Sequence, residues 1–122
     1  MGIVGVGLDL CRVARMQAVL SKSTAPRFIA KVLHAEEQLV PVTPLFLASR
    51  WAAKEALVKA SGRTDLQFHL LRVGKLPSGK PSFELEESER EKMKKMGVMR
   101  IHLSLTHEDE YAAAVVILED TA

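Results

Sequence analysis

Hydrophobic positions change their period several times along the chain. In IVGVGLDL, residues 3 to 10, Val4, Val6, Leu8 and Leu10 alternate with Gly5, Gly7 and Asp9. That two-residue period predicts a strand with the valine and leucine set on the core face. RVARMQAVLS (12–21) and RFIAKVLHAEEQL (27–39) read as helices, the second broken near His34. PVTP at 41–44 is a connector, because each proline disfavours helix in the residue before it. A long helix follows from about 45 to 61, with Gly62 at its C-cap position. LQFHLLRV (66–73) predicts a strand, LPSGKP (76–81) a turn, PSFELE a short strand, and EESEREKMKKM (86–96) a charged helix stopping at Gly97. MRIHLSLTH and EYAAAVVILE predict two strands joined by a tight acidic turn. The second is nearly all apolar, as expected of a central strand covered on both faces. In the first, Ile101, Leu103 and Leu105 alternate with His102, Ser104 and Thr106. No repeat or long linker interrupts 1–122, so one domain is expected. Helices and strands mix without strict alternation, which predicts an α+β fold, a mainly antiparallel sheet packed against the long central helix.

Composition narrows the function classes. The 122 residues are 48% apolar and 26% charged, with a net charge of +2. Nucleic-acid binders carry a clustered basic excess interleaved with aromatics; here the aromatics are sparse and scattered, so no nucleic-acid partner is expected. The single cysteine, Cys11, forms no internal disulfide, which fits a reducing compartment. No apolar run approaches the roughly 18–20 residues of a membrane span. The N-terminus lacks the basic flank of a signal peptide. The expected location is the cytoplasm, or an organelle matrix (mitochondrion or plastid) if a transit peptide has been removed.

Three stretches carry candidate chemistry. In GVGLDL two missing side chains stand beside one carboxylate, leaving a floor that a backbone or ligand can approach closely. The third glycine of a dinucleotide fingerprint is absent. Asp9 either edges a ligand site or caps the helix at 12–21. In WAAKEALVKA (51–60), Leu47, Trp51 and Val58 form an apolar stripe with Glu55 beside it and Lys59 one turn later. Ala48 and Ala52 leave a hollow there, although Glu55 and Lys59 at i,i+4 are also an ordinary surface pair. Lys54 points away from Glu55 as a solvated or structural lysine. In HLSLTH, the hydroxyls of Ser104 and Thr106 with His107 at the strand end suit phosphate oxygens, or are simply half-exposed strand residues. Lys80 stands on the SGKP turn.

Taken in order, GVGLDLCRVARM, RWAAKEALVKA, GKP and LSLTHEDEYAAAVVI resemble the holo-acyl carrier protein synthases, the small 4′-phosphopantetheinyl transferases, from residue 3 to about 119. The resemblance implies that a serine of apo-acyl carrier protein attacks coenzyme A, the substrate, and accepts phosphopantetheine with Mg²⁺ as cofactor. It implies a setting in fatty acid biosynthesis. Asp9 and Glu55 match the family's metal carboxylates. Glu55 and Lys59 match its catalytic groups, and Lys59 also its cofactor-binding set. Arg50, Lys80, Pro81, Ser104, Thr106 and His107 match positions that look like coenzyme A contacts. Arg15 matches a carrier-docking position, and Arg12 and Arg27, with Lys31, add basic charge for an acidic carrier. The family is typically a homotrimer with sites between subunits. Two positions depart from its pattern. Arg12 stands where the family carries an acid, and GRTDLQF follows Ser61 in place of a glycine-rich loop. These departures imply a changed affinity or carrier preference. A module that only binds acidic helical proteins, or a coenzyme A binder without transfer, are the competing expectations.

Overall fold

The computed structural model describes residues 2–120; Met1, Thr121 and Ala122, which the expected domain includes, lie outside the described residues. Strand β1 (Ile3–Arg12) leads into helices α1 (Val13–Leu20) and α2 (Ala25–Val32). A 3-10 turn (Ala35–Leu39) precedes the long helix α3 (Pro44–Ser61). A second 3-10 turn (Phe68–Leu70) precedes β2 (Leu71–Lys75) and β3 (Pro81–Leu85). Helix α4 (Glu87–Lys95) and strands β4 (Arg100–His107) and β5 (Tyr111–Glu119) complete the chain. Strands β1, β5 and β4 form one antiparallel sheet in that order, with β5 central, and β2 and β3 form a separate hairpin. The α+β expectation holds, with α3 lying across the larger sheet.

Local chemistry sets the ends of α3. Thr43 Oγ1 accepts from the Phe46 amide at 3.1 Å, and Pro44 occupies the first turn, where its missing N–H costs nothing. Gly62 closes the helix at φ 69°, a left-handed conformation that favours glycine. The break near His34 is real. His34 Nδ1 accepts from the Glu36 amide while Glu37 Oε1 accepts from the His34 amide, so the two side chains cap the 3-10 turn. The predicted strand at 66–73 begins only at Leu71. Phe68–Leu70 instead forms a turn that sends Phe68 edge-on to Trp51, ring centroids 5.5 Å apart.

The largest correction concerns β1. Val6, Leu8 and Leu10 are 59%, 65% and 63% exposed, whereas Gly7 and Cys11 are buried. The glycine face, not the valine–leucine face, meets α3. A Cβ built on Gly5 would stand 1.8 Å from the Ala60 carbonyl oxygen, and one on Gly7 would stand 1.9 Å from that of Ala56. Only residues without a side chain let the strand and helix backbones approach so closely. The cleared floor of GVGLDL is therefore filled by a helix backbone. The same choice fixes the buried side of α3: Leu47, Ala48, Ala52, Ala53, Ala56 and Leu57 are wholly inside. Trp51 and Val58, expected in the apolar stripe, are only half-buried.

Lys54 is also wholly buried, and of its two expected environments the structural one is realised. Its Nζ donates to Glu37 Oε1 at 2.6 Å, the Val32 carbonyl at 2.6 Å and the Phe68 carbonyl at 3.1 Å. Glu37 Oε2 accepts from the Val73 amide at 3.1 Å. One ion pair thus ties α2, both 3-10 turns and β2 to α3, and each buried charge has the partners its burial requires.

Candidate active site

Asp9 sits on the helix-facing side of β1, opposite Ala114 in register. It does not cap α1, whose N-cap is Arg12 with no side-chain bond. Instead its Oδ1 accepts from Lys59 Nζ at 2.9 Å, and the Leu8 carbonyl accepts from the same ammonium at 3.1 Å. The Asp9 side chain is 13% exposed and that of Lys59 54%, so the lysine reaches in from solvent to a nearly covered carboxylate. Glu55 is half-buried one helical turn before Lys59. Burial pushes its carboxyl above the ordinary range, and the charge of Asp9 adds to the rise; Lys59 and Arg15 pull the other way. Arg15 lies over the Trp51 ring at 5.1 Å. Two facing carboxylates, a lysine and an arginine therefore share one electrostatic neighbourhood.

Arg50 lies elsewhere on α3. Its guanidinium stacks 4.4 Å over Phe46 and helps line a cavity of about 460 Å³ with Glu37, Arg72, Val73 and Lys75. Pro81 pairs with Lys75 across the hairpin, and the exposed Lys80 adjoins it on the turn. Ser104 and Thr106 are exposed on the far side of the larger sheet, in register with Val115 and Ala113 and so beside Leu8 and Leu10. His107 ends the same strand, exposed. The sheet itself separates Ser104 and Thr106 from Asp9, Glu55 and Lys59 of the same chain, whereas His107, in register with Ala112 and Cys11, lies on the Asp9 side.

The docking candidates also divide. Arg15 and Arg27 are exposed on α1 and α2, as is Lys31. Arg12 is not a helical neighbour of Arg15 as the spacing suggested; it ends β1 and rests 5.9 Å from the Tyr111 ring. After Gly62, the departing loop is held by charge. Arg63 donates twice to Asp65, at 2.8 and 2.7 Å, and holds that carboxyl down at about 2. The buried Glu89 accepts from the Gln67 amide, and Lys92 donates to the Asp65 carbonyl. Glu37, Arg72 and Lys75 escaped sequence reading. No local pattern marks AEEQL as anything but the end of the helical stretch expected over 27–39, and Glu37 acquires its setting only from partners 17 and 36 residues away.

A strand carboxylate, a helix carboxylate and a lysine lie close together. A cavity of mixed charge further along the same helix holds Arg50, Arg72 and Lys75 with Glu36 and Glu37. These groups are of the class that phosphate-ester chemistry uses. A family profile narrows that class. The 4′-phosphopantetheinyl transferase superfamily profile matches residues 5–116, and the chain belongs to this superfamily. A holo-acyl-carrier-protein synthase of Maridesulfovibrio salexigens is 41% identical, covering 96% of this chain and 98% of the relative. The crystal structure of the holo-acyl-carrier-protein synthase of Neisseria meningitidis superposes with a TM-score of 0.89 at 30% identity, covering 97% of this chain and 99% of that one. That of Helicobacter pylori, in complex with coenzyme A, gives 0.81 at 27% identity, covering 93% and 99%.

Proposed function

We infer that this chain transfers 4′-phosphopantetheine from coenzyme A to a serine of an apo-acyl carrier protein and releases adenosine 3′,5′-bisphosphate. The observation that carries the reading is the Asp9–Lys59 contact beside a Glu55 whose carboxyl is raised by burial and by Asp9. A serine oxygen forms a bond to the β-phosphorus as the bond from that phosphorus to the bridging oxygen breaks, so the electron pair leaves with the adenosine bisphosphate.

The carboxylates fit a magnesium ion. Among the described residues no group of three or more His, Cys, Asp or Glu is placed to hold a metal. Magnesium needs no such cage; one or two carboxylates, with waters and substrate phosphates, are its usual protein ligands. Glu55 is raised by burial and then by the charge of Asp9, and a cation between the two carboxylates offsets both costs of the ionised form. Asp9 and Glu55 would hold Mg²⁺, which when bound neutralises charge on the pyrophosphate. Lys59, on a long exposed stem, can leave Asp9 and stabilise the oxygens of the transferring or leaving phosphate. Glu55, directly or through water, accepts the serine proton. Arg50, Lys80 and Pro81 bind the adenosine phosphates and base from one side.

His107, on the Asp9 side of the sheet, serves the ligand from the strand end, whereas Ser104 and Thr106 serve it from a second copy of the chain, because their own sheet turns them away from Asp9. Their face carries the exposed Val6, Leu8 and Leu10 together with Val115 and Ile117 of β5. An apolar face of that kind marks an interface. We assign it to a homotrimer with sites between subunits. Arg15, Arg27 and Arg12 meet the acidic carrier, Arg15 nearest the carboxylates. The buried, unpaired thiol of Cys11 suits a reducing cytoplasm or organelle matrix, and among the described residues no helix is long and apolar enough to cross a membrane.

Intact-mass spectrometry of an apo-acyl carrier protein, incubated with the chain, coenzyme A and Mg²⁺, tests the reading. One added phosphopantetheine with metal, and none with chelator, is expected. A carrier that gains the group equally well in chelator would remove the metal, and several carriers left unmodified would remove the reaction.

A further inference from the structure

The buried pair Lys54–Glu37 adjoins Arg50, which meets Glu37 only as a long ion pair. Glu37 has three partners, the His34 amide and Lys54 on Oε1 and the Val73 amide on Oε2. Arg50 Nε stands 3.8 Å from Oε2, too far for a hydrogen bond, and it is a buried polar nitrogen with no partner. Burial lowers the affinity of this guanidinium for its proton, and Glu37 raises it. Arg50 is thus held by the Phe46 ring, a long ion pair with Glu37 and a 3.4 Å hydrogen bond from Nη1 to Ser49 Oγ, and its Nε is left without a hydrogen bond. Its group lines the open cavity with Arg72 and Lys75. Such a guanidinium is ready for an anionic ligand.

We propose that Lys54 and Glu37 are positioning residues for Arg50: the Lys54 ammonium occupies Glu37 so that the carboxylate does not draw Arg50 against the cavity wall, away from a bound ligand. The inference rests on the reading of Arg50 as a group that binds the adenosine phosphates. Remove Lys54 alone, and a buried carboxylate is left without its countercharge. The guanidinium at 3.8 Å is then the cation at hand. Closing that gap to a charge-assisted hydrogen bond of about 2.8 Å moves Arg50 inward by about 1 Å. A displacement of that size costs roughly tenfold or more in a site that depends on placement. Remove Glu37 as well, and nothing draws Arg50 in; Phe46 still holds it.

The test is calorimetric titration of adenosine 3′,5′-bisphosphate into the full chain, with thermal melts of each variant. Lys54→Met is expected to weaken binding roughly tenfold or more, as Arg50→Gln does. The double variant Lys54→Met/Glu37→Met is expected to recover binding to within about threefold of wild type, a large non-additivity. Loss of binding in a Lys54→Met variant whose melt shows it folded at the titration temperature, with recovery in the double variant, is something a merely structural role would not produce. If folded Lys54→Met binds as wild type does, or if the double variant binds as weakly as Arg50→Gln, the proposal is overturned. Should Lys54→Met alone fail to fold, the double variant decides by the same comparison, since matched apolar replacement of a buried pair is commonly tolerated. Arg50→Gln binding at wild-type strength would overturn it too. A wild-type chain that does not bind the bisphosphate sinks the functional reading itself, a result distinct from all of these.

Discussion

Glu55 shows what burial of a carboxylate does to stability. Its carboxyl is raised above the ordinary range, so the folded state favours the protonated form more than the unfolded state does. The stability this contributes is full below the unfolded value of about 4.3 and is lost as pH rises through the folded value. At neutral pH the ionised side chain is therefore a burden. Glu55→Gln is expected to melt at higher temperature than wild type at neutral pH in chelator, with the two curves converging in acid. The same variant should lose transfer by roughly 10²-fold or more, as removal of a group that stabilises developing charge does. Added Mg²⁺ should raise the melting temperature of wild type and not of the variant. Lys54 gives the opposite sign. Burial holds its ammonium down at about 8, against the pull of Glu37. A lysine depressed in the fold makes stability rise as pH climbs from that value toward the unfolded value of about 10.4. Denaturant unfolding followed over that window should show the rise in wild type and lose it in Lys54→Met/Glu37→Met.

Between elements, the contact of β1 with α3 decides the site, because one carries Asp9 and the other Glu55 and Lys59. Gly7 is the test position. A methyl there would lie 1.9 Å from the Ala56 carbonyl oxygen, which is backbone and has no rotamer to yield. Gly7→Ala is expected to cost about 1–3 kcal/mol in urea unfolding, as overpacking does, and to lower transfer because α3 must lift away from Asp9. A variant as stable as wild type would show that the two elements can slide without strain. The loop after α3 illustrates another solution at this scale. Where the resemblance led one to expect glycines, Arg63–Asp65 and the Glu89–Gln67 contact pin GRTDLQ to α4.

For the whole molecule, the exposed leucines of β1 are the strongest pointer to assembly. Leu8 is 65% exposed in one protomer, so Leu8→Arg should leave the protomer fold within about 0.5 kcal/mol of wild type. Placed in an apolar subunit contact, the same arginine is an unpaired buried charge. Light scattering is expected to give the mass of a single chain, 13.5 kDa, for the variant and a threefold multiple for wild type. Transfer should be lost with assembly, since Ser104 and Thr106 would no longer reach a neighbour's carboxylates. A monomeric variant with full activity would put the whole site in one chain.

The sequence by itself determined most of the element types, the glycine cap of α3, the alternation in β4 and the family. These follow from rules within a few residues: period, capping, and the resemblance of short blocks. Only the tertiary structure decided which face of β1 is inside, because a two-residue period gives two faces and not their order. Valines and leucines would ordinarily claim the core; the absence of side chains at Gly5 and Gly7 admits a helix backbone about fifty residues away and reverses the choice. Lys54 and Glu37 became a buried pair for the same kind of reason. Each is an unremarkable surface charge in sequence, and only packing that excludes water makes the two depend on each other.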